Sequence, residues 1–245
     1  MGGRKMIFGA ILAGGIGSRM NIADMPKQFL LLGNKPIIIH TLQKMLLCQK
    51  FDYVYIGTHK DWILYMEDLI NKYILDEDNK KRIILVSGGK DRNDTIMNIV
   101  SDIENKFGEN EDNIIVTHDA VRPFITSRIL NENIEFAEKY GACDTVVPAI
   151  DTIVVSNNKE IISEIPNREF MYQGQTPQSF KISILKKLYN ELSEDEKKIL
   201  TDACKICVVK NYPVYLVKGE ISNLKITTPS DYKIAQAMIG GNLID

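Results

Sequence analysis

Apolar, β-branched runs alternate with amphipathic stretches through the first 150 residues. Met6 to Leu12 is followed by Ile37 to Leu47, Tyr53 to Gly57 by Trp62 to Tyr73, and Arg82 to Ser87 by Asp94 to Phe107. Asn113 to Thr117, Ile129 to Tyr140 and Thr145 to Ile150 continue the order strand, helix, strand. Strands this apolar are buried on both faces, so the pattern predicts an α/β fold: a mostly parallel twisted sheet flanked by helices. Ligands of such sheets bind beyond the carboxyl ends of the strands, where the loops beginning at Ala13, Gly88 and His118 emerge.

The pattern changes at Asp151 to Pro166. Thr-Ile-Val-Val, a turn at Ser-Asn-Asn-Lys and Glu-Ile-Ile-Ser-Glu-Ile read as a hairpin without a crossover helix, an arm at about 150–171. Its apolar residues leave two options open, packing on another subunit or folding back on its own domain. A helix near Lys181 to Leu192, a helix begun by the capping box Ser193-Glu-Asp-Glu196, a strand near Val214 to Lys218 and a helix from Ser230 follow. No repeat or low-complexity segment interrupts the chain, which reads as a single domain over 1–245.

Composition narrows the function classes. At 245 residues, 44% hydrophobic and 25% charged, the chain fits an ordinary globular protein. No apolar run approaches the ~18 residues of a membrane span, and the start lacks the apolar centre of a secretory signal, so a cytoplasmic location is expected. A net charge of −2 gives no electrostatic case for nucleic acid. The four cysteines, Cys48, Cys143, Cys204 and Cys207, read as buried thiols, and Cys204-Lys-Ile-Cys207 as the end of a helix that packs in the core.

The segment Gly9-Ala-Ile-Leu-Ala-Gly-Gly-Ile-Gly-Ser-Arg-Met20, followed by Pro26-Lys27-Gln28, carries the most chemistry. A dinucleotide fingerprint needs GxGxxG, and Met20 stands where the third glycine belongs; a Walker loop needs Gly-Lys-Ser/Thr, which is missing here. What remains is a glycine-rich loop that offers amides to anions, flanked by the cations Arg19 and Lys27, and this suits a nucleoside triphosphate. Ser87-Gly-Gly-Lys-Asp-Arg-Asn-Asp-Thr95 either recognises a nucleoside or is a strand-to-helix turn capped by Asn93 or Asp94. In Thr117-His-Asp-Ala-Val-Arg-Pro123, Asp119 is placed to hold Mg2+ on a triphosphate, and Arg122 to bind a phosphate or brace a neighbour. His118 is a base or, preferably, a structural histidine, while His40 and His59 read as plain helix and loop residues. Arg168, Thr176, Thr201 and Lys225 supply cations and hydroxyls suited to a second, phosphorylated substrate.

The chain shows no serine elbow, no cysteine paired with histidine and no HExxH helix. A phosphate monoester acceptor would need none. Its second pKa near ~6 leaves it dianionic at neutral pH, so the protein has only to align it and neutralise charge.

Taken together these motifs resemble the cytidylyltransferase family that includes methylerythritol-phosphate and ribitol-5-phosphate cytidylyltransferases. The resemblance rests on LAGGxGxRM at Leu12 to Met20, PKQF at Pro26 to Phe29, GGxxR at Gly88 to Arg92, HDAVRPF at His118 to Phe124, QTPQ at Gln175 to Gln178, TDA at Thr201 to Ala203 and NLKITTPSD at Asn223 to Asp231. It implies a Rossmann-like nucleotidyltransferase fold with a protruding hairpin that dimerises the protein, and a CTP-dependent enzyme that requires Mg2+. Under it Arg19, Lys27 and Lys225 are catalytic cations. Leu12, Ala13, Gly14, Gly15, Gly17, Gly88, Arg92, Thr95 and Asp119 belong to the nucleotide, with Asp119 also at the metal. Arg122, Thr152, Arg168, Thr176 and Thr201 belong to the acceptor, with Arg122, Thr152 and Arg168 reaching the acceptor phosphate in a partner subunit's site.

Within that family the isoprenoid enzymes usually open on Ala-Ala-Gly and carry HDAARP and TDDAS. This chain has Leu12-Ala-Gly-Gly15, His118-Asp-Ala-Val-Arg-Pro123, Thr201-Asp-Ala-Cys204, Ile165-Pro-Asn-Arg168 and Tyr172-Gln-Gly-Gln175, which look like the ribitol-phosphate branch. The expectation is therefore CDP-ribitol synthesis for teichoic acid or capsular polymers, with methylerythritol-phosphate chemistry as the alternative. Two rivals lie outside the family. Met20 and the lack of an acidic residue after the second strand, where Thr58-His59 stand, disfavour a nicotinamide-dependent oxidoreductase. A nucleotide-binding module without turnover is disfavoured because Arg19, Lys27, Asp119 and Lys225 are all present.

Overall fold

A computed structural model describes residues 4–15 and 25–240; Gly17 and Arg19 lie outside them. The strand β1 (Ile7–Ala13) turns Phe8 and Ala10 to one face and Ile7 and Ile11 to the other, and all four are buried. After it come the short antiparallel pair β2 (Leu31–Leu32) and β3 (Lys35–Pro36), then α1 (Ile37–Leu47) and β4 (Tyr53–Thr58). Next are α2 (Ile63–Tyr73), α3 (Glu77–Lys81), β5 (Ile83–Ser87) and α4 (Arg92–Phe107), followed by β6 (Ile114–Asp119), α5 (Ser127–Tyr140) and β7 (Ala142–Pro148). The C-terminal part adds β8 (Tyr172–Lys181), α6 (Ile182–Asn190), α7 (Glu194–Lys198), α8 (Cys204–Val209), β9 (Tyr215–Lys218) and α9 (Pro229–Gly240).

These strands form one seven-stranded sheet in the order β5-β4-β1-β6-β8-β7-β9. All neighbours are parallel except β8, which runs antiparallel to both β6 and β7. The two faces fill separately: α1, α2 and α5 cover one core, and α4, α6 and α8 the other. A third cluster joins Leu30, Leu32 and Ile37 to Val121, Phe124, Ile226 and Ala235 of α9. That cluster ties the segment after Lys27 to the segment around Lys225.

Local signals explain the boundaries. Thr126 Oγ1 caps α5 on Ile129 N (3.5 Å), and Gly141 closes the helix at φ 87°, where a Cβ would meet Tyr212 Oη at 2.3 Å. The expected capping box exists, with Ser193 N donating to Glu196 Oε2 and Glu196 N to Ser193 Oγ. The cap of α4 is Asp91, whose Oδ1 accepts from Asp94 N at 2.9 Å, rather than Asn93 or Asp94.

Residues Gln175 to Gln178 are the centre of β8, across a register shift in its pairing with β7. Two expectations need correction. Cys204 opens a helix rather than ending one, although all four cysteines are buried free thiols as expected. The hairpin at 151–166 narrows to one antiparallel bridge between Val155 and Glu164, with a turn at Lys159 (φ 65°). Its side chains Val154, Ile161, Ile162 and Ile165 are exposed, so among the described residues nothing covers them to drive a full ladder. Among the described residues no helix is long and apolar enough to cross a membrane.

Candidate active site

Four strand ends stand abreast on the carboxyl edge. Leu12 pairs with Asp119, Ala13 with Thr58, and Thr58 with Ser87, so the loops after β1, β4, β5 and β6 open side by side. Between them lies a cleft of about 470 Å³ lined by Leu12, Ala13, Gly14, Gly15, Lys27, Gln28, His59, Gly89, Lys90, Asp91, Arg92, Thr95, Asp119, Ala120, Val121 and Lys225. A hollow of about 510 Å³ lies elsewhere, between the end of α4 and α6, but its Lys186 is paired with Glu104 and Glu109. The cleft at the strand ends is where cations converge.

Its walls are held by local hydrogen bonds. Buried Gln28 donates from Nε2 to Ala13 O (2.8 Å) and Gly15 O (3.3 Å), which clamps the glycine loop to the turn Lys27–Phe29 and sets Lys27 at the rim. Thr95 Oγ1 donates to Asp91 O (2.8 Å) and accepts from Gly89 N (3.0 Å), while Gly88 N donates to Thr58 O (2.7 Å). The loop after β5 is thereby folded against α4 so tightly that a Cβ on Gly89 would sit 2.3 Å from Asp94 Cβ. Gly88 supports this turn without lining the cleft, whereas Thr95 does both.

Asp119 is the electrostatic centre. Its Oδ1 accepts from Arg92 Nη1; its Oδ2 is paired with Lys225 Nζ at 3.0 Å and Arg122 Nε at 3.2 Å. Burial pushes its pKa upward, but Arg92, Lys225 and Arg122 outweigh that and hold the carboxyl well below the usual range. Arg122 is 7% exposed and also donates from Nη1 to Asn223 O at 2.7 Å, which is the bracing option of the two the sequence left open. Lys225 keeps 44% of its side chain exposed and reaches the cleft from the loop before α9.

A relay fixes the strand end beneath Asp119. Its amide donates to Thr176 Oγ1 (3.1 Å), the Thr176 hydroxyl donates to His118 Nδ1 (2.9 Å), and His118 Nε2–H donates to Arg122 O (3.0 Å). The carbonyl partner dictates that tautomer. Burial lowers the His118 pKa to about 4, so the ring is neutral and structural, with both nitrogens engaged. Thr176 is buried and acts here on the backbone of Asp119.

The remaining acceptor candidates lie apart from the cleft. Thr152 and Arg168 sit on the exposed arm, where Arg168 Nη1 donates to Ile150 O (2.8 Å), and Thr201 is exposed just before α8. Sequence reasoning did not single out Gln28, Lys90, Asp91 or His59 as site residues. The position of Gln28 in Pro26-Lys27-Gln28 was the available signal, and its role shows only once β1 and the turn meet. Among the described residues no group of three or more His, Cys, Asp or Glu side chains gathers to hold a metal ion. A single carboxylate beside a cationic cleft fits Mg2+ that arrives on a nucleotide, since Mg2+ takes one or two carboxylates and completes its shell with phosphates and water.

Residues 7–241 match the model of the family described as 2-C-methyl-D-erythritol 4-phosphate cytidylyltransferase (IspD). Among solved structures, 4-diphosphocytidyl-2C-methyl-D-erythritol synthase from Anaerococcus prevotii is 25% identical, with 96% of each chain covered and a TM-score of 0.77. The 2-C-methyl-D-erythritol 4-phosphate cytidylyltransferases of Francisella tularensis (24% identity, 94% and 98% covered, TM-score 0.77) and Thermus thermophilus (21%, 94% and 98%, 0.70) share the fold.

Proposed function

The chain belongs to the 2-C-methyl-D-erythritol 4-phosphate cytidylyltransferase (IspD) family of CTP-dependent nucleotidyltransferases, and from that premise we propose that it transfers the cytidylyl group of CTP to an acyclic polyol phosphate. The observation that carries this reading is the convergence of Lys27, Arg92 and Lys225 with Asp119 on one cleft beside the glycine loop. No serine or cysteine lines that cleft among the described residues, and the hydroxyl of Thr95 is engaged with Asp91. The nucleophile then comes from the acceptor: an oxygen of its phosphate dianion bonds to the α-phosphorus of CTP as the bond to the β-phosphate oxygen breaks, giving a CDP-polyol and pyrophosphate.

Lys27 and Lys225 would neutralise charge gathered around the α-phosphorus, and Gln28 anchors the start of the glycine loop through Ala13 O and Gly15 O. Arg19 keeps the role the family resemblance gives it, as a second catalytic cation. Mg2+, where bound, supplies charge neutralisation on the triphosphate oxygens, and Asp119 is the residue that would hold it. To do so Asp119 must loosen one of its three cationic partners, and exposed Lys225 is the one freest to move.

The family description and the Anaerococcus relative favour 2-C-methyl-D-erythritol 4-phosphate as the acceptor over the ribitol phosphate expected from sequence. D-ribitol 5-phosphate is kept as the second reading on one specific observation, the departures at Leu12 to Gly15, Ala120-Val121, Ala203-Cys204 and Tyr172 to Gln175 from the usual isoprenoid motifs. A homodimer is part of the reading: the exposed apolar arm would carry Thr152 and Arg168 into a partner's site. Pyrophosphate release from CTP and Mg2+ with each acceptor tests the reading. Turnover with either supports it and names the acceptor; NADH binding with no pyrophosphate from either acceptor would replace it.

A further inference from the structure

Beneath the Asp119 cluster, on the sheet face covered by α4 and α8, lies a polar group that the reaction described above does not use. Asp144 of β7 stands directly across from Gln178 of β8. Gln178 is 1% exposed; its Nε2 donates to Asp202 Oδ2 at 3.1 Å, and its Oε1 has no partner. Asp144 Oδ1 is likewise buried without a hydrogen-bond partner, and so are Nε and Nη2 of Arg92, whose charge acts on Asp144 from the cleft side. The other carboxyl oxygen, Oδ2, faces Gly174, where even an added Cβ would stand 3.8 Å away, and Gly174 is exposed.

A carboxyl group in mid-strand is an expensive choice. Burial and the neighbouring Asp202 push Asp144 up to about 7, against the opposing pull of Gln178 and Arg92. Valine or threonine would suit β7 at no such cost. Unmatched acceptors on Asp144 and Gln178, with the charge of Arg92 acting on Asp144, suit a hydroxyl that donates to one of them. The group also adjoins Thr201, through Asp202, and Thr176, two residues along β8. With Thr201 in the acceptor role that the proposed function gives it, the group lies on the acceptor side of the nucleotide cleft.

We propose that Asp144, supported by Gln178, is an acceptor-binding residue that takes a hydrogen bond from a hydroxyl of the polyol chain while the acceptor phosphate lies toward Asp119 and Lys225. This rests on the proposed function and deepens it by naming what reads the body of the acceptor. Gly174 leaves the approach open, and the carboxylate is the natural partner of an acyclic chain rich in hydroxyls.

The test compares wild type with Asp144→Asn and Asp144→Val, using whichever of ribitol 5-phosphate and methylerythritol 4-phosphate the wild type turns over. Asp144→Val is expected to raise acceptor KM on the order of 10- to 100-fold, the loss of one charge-assisted hydrogen bond. KM for CTP should stay within twofold, and the melting temperature should hold or rise because a buried carboxyl is gone. Asp144→Asn should fall between. An unchanged acceptor KM in both variants, or a lower melting temperature with acceptor and CTP KM altered alike, assigns Asp144 to structure and overturns the proposal. Wild type that turns over neither acceptor removes the proposed function and this inference with it, whereas active wild type with indifferent variants removes the inference alone.

Discussion

Lys225 Nζ lies 3.0 Å from Asp119 Oδ2 and joins the loop before α9 to the end of β6, two segments far apart in the chain. With Arg92 and Arg122 on the same carboxylate, one negative charge organises three positive ones. Asp119→Asn would leave the buried Arg122 guanidinium without its counter-charge, a loss of about 3–5 kcal/mol. Urea unfolding at pH 7 should show that loss together with collapse of turnover; near wild-type stability would show that Asn223 O alone satisfies Arg122. Because the folded pKa of Asp119 is depressed, its stabilisation is complete above the ordinary carboxylate range and disappears only as pH falls well below it. Losses of stability between pH 7 and 5 therefore have another origin.

His118 supplies one. Its folded pKa of about 4 is below the ordinary histidine value of 6.5, so the unfolded chain binds the proton first as pH falls. Stability should drop by about 2 kcal/mol between pH 7 and 5 from this residue. Asp144, raised to about 7, gains stability over the same window, so the His118 share is read as the difference between wild type and His118→Asn in how the urea midpoint changes from pH 7 to 5. A slope unchanged by the substitution would place the proton elsewhere.

Thr176 connects Asp119 N–H to His118. In Thr176→Val both lose a buried partner, which should cost about 2 kcal/mol and lower kcat more than it raises KM for CTP. Thr176→Ser, which keeps the hydroxyl, should restore most of both. Equal behaviour of valine and serine variants would mean the relay has no part in holding Asp119.

Lys27→Ala should reduce kcat ~100-fold or more while leaving the circular dichroism spectrum and melting temperature near wild type, since Lys27 sits at the rim and Gln28 holds the loop. Turnover close to wild type would remove Lys27 from transition-state stabilisation.

Arg168→Ala tests the arm. Under the proposed dimer the exposed side chain would act in a partner's site, so the acceptor KM should rise with CTP binding unaltered, and the effect should be rescued in mixed dimers that retain one intact arm. An unchanged acceptor KM would free Arg168 from the site.

Much of this was readable from residue order because it depends on local pattern. The apolar runs at β1, β4 and β6 are buried on both faces, β5 is half-buried at the sheet edge, and the loops that follow carry the Gly14, Gly88 and Asp119 motifs to one edge. What was not readable depends on tertiary pairing. The β8 segment, with Gly174, Gln175 and Pro177, has little strand character of its own and is extended only because β6 and β7 flank it. For the same reason Asp144 and Gln178 look unrelated in sequence and become opposite neighbours in the sheet. Arg122 was legible as a cation near phosphates, but only its 7% exposure shows that it braces Asp119.

The fate of the α-phosphorus tests the central claim most directly. With CTP labelled at the α-phosphate, Mg2+ and a polyol phosphate acceptor, the label should appear in a CDP-polyol in step with release of unlabelled pyrophosphate, and only when acceptor is present. Label that stays in CTP with either acceptor, or leaves as CMP independently of acceptor, would contradict cytidylyl transfer.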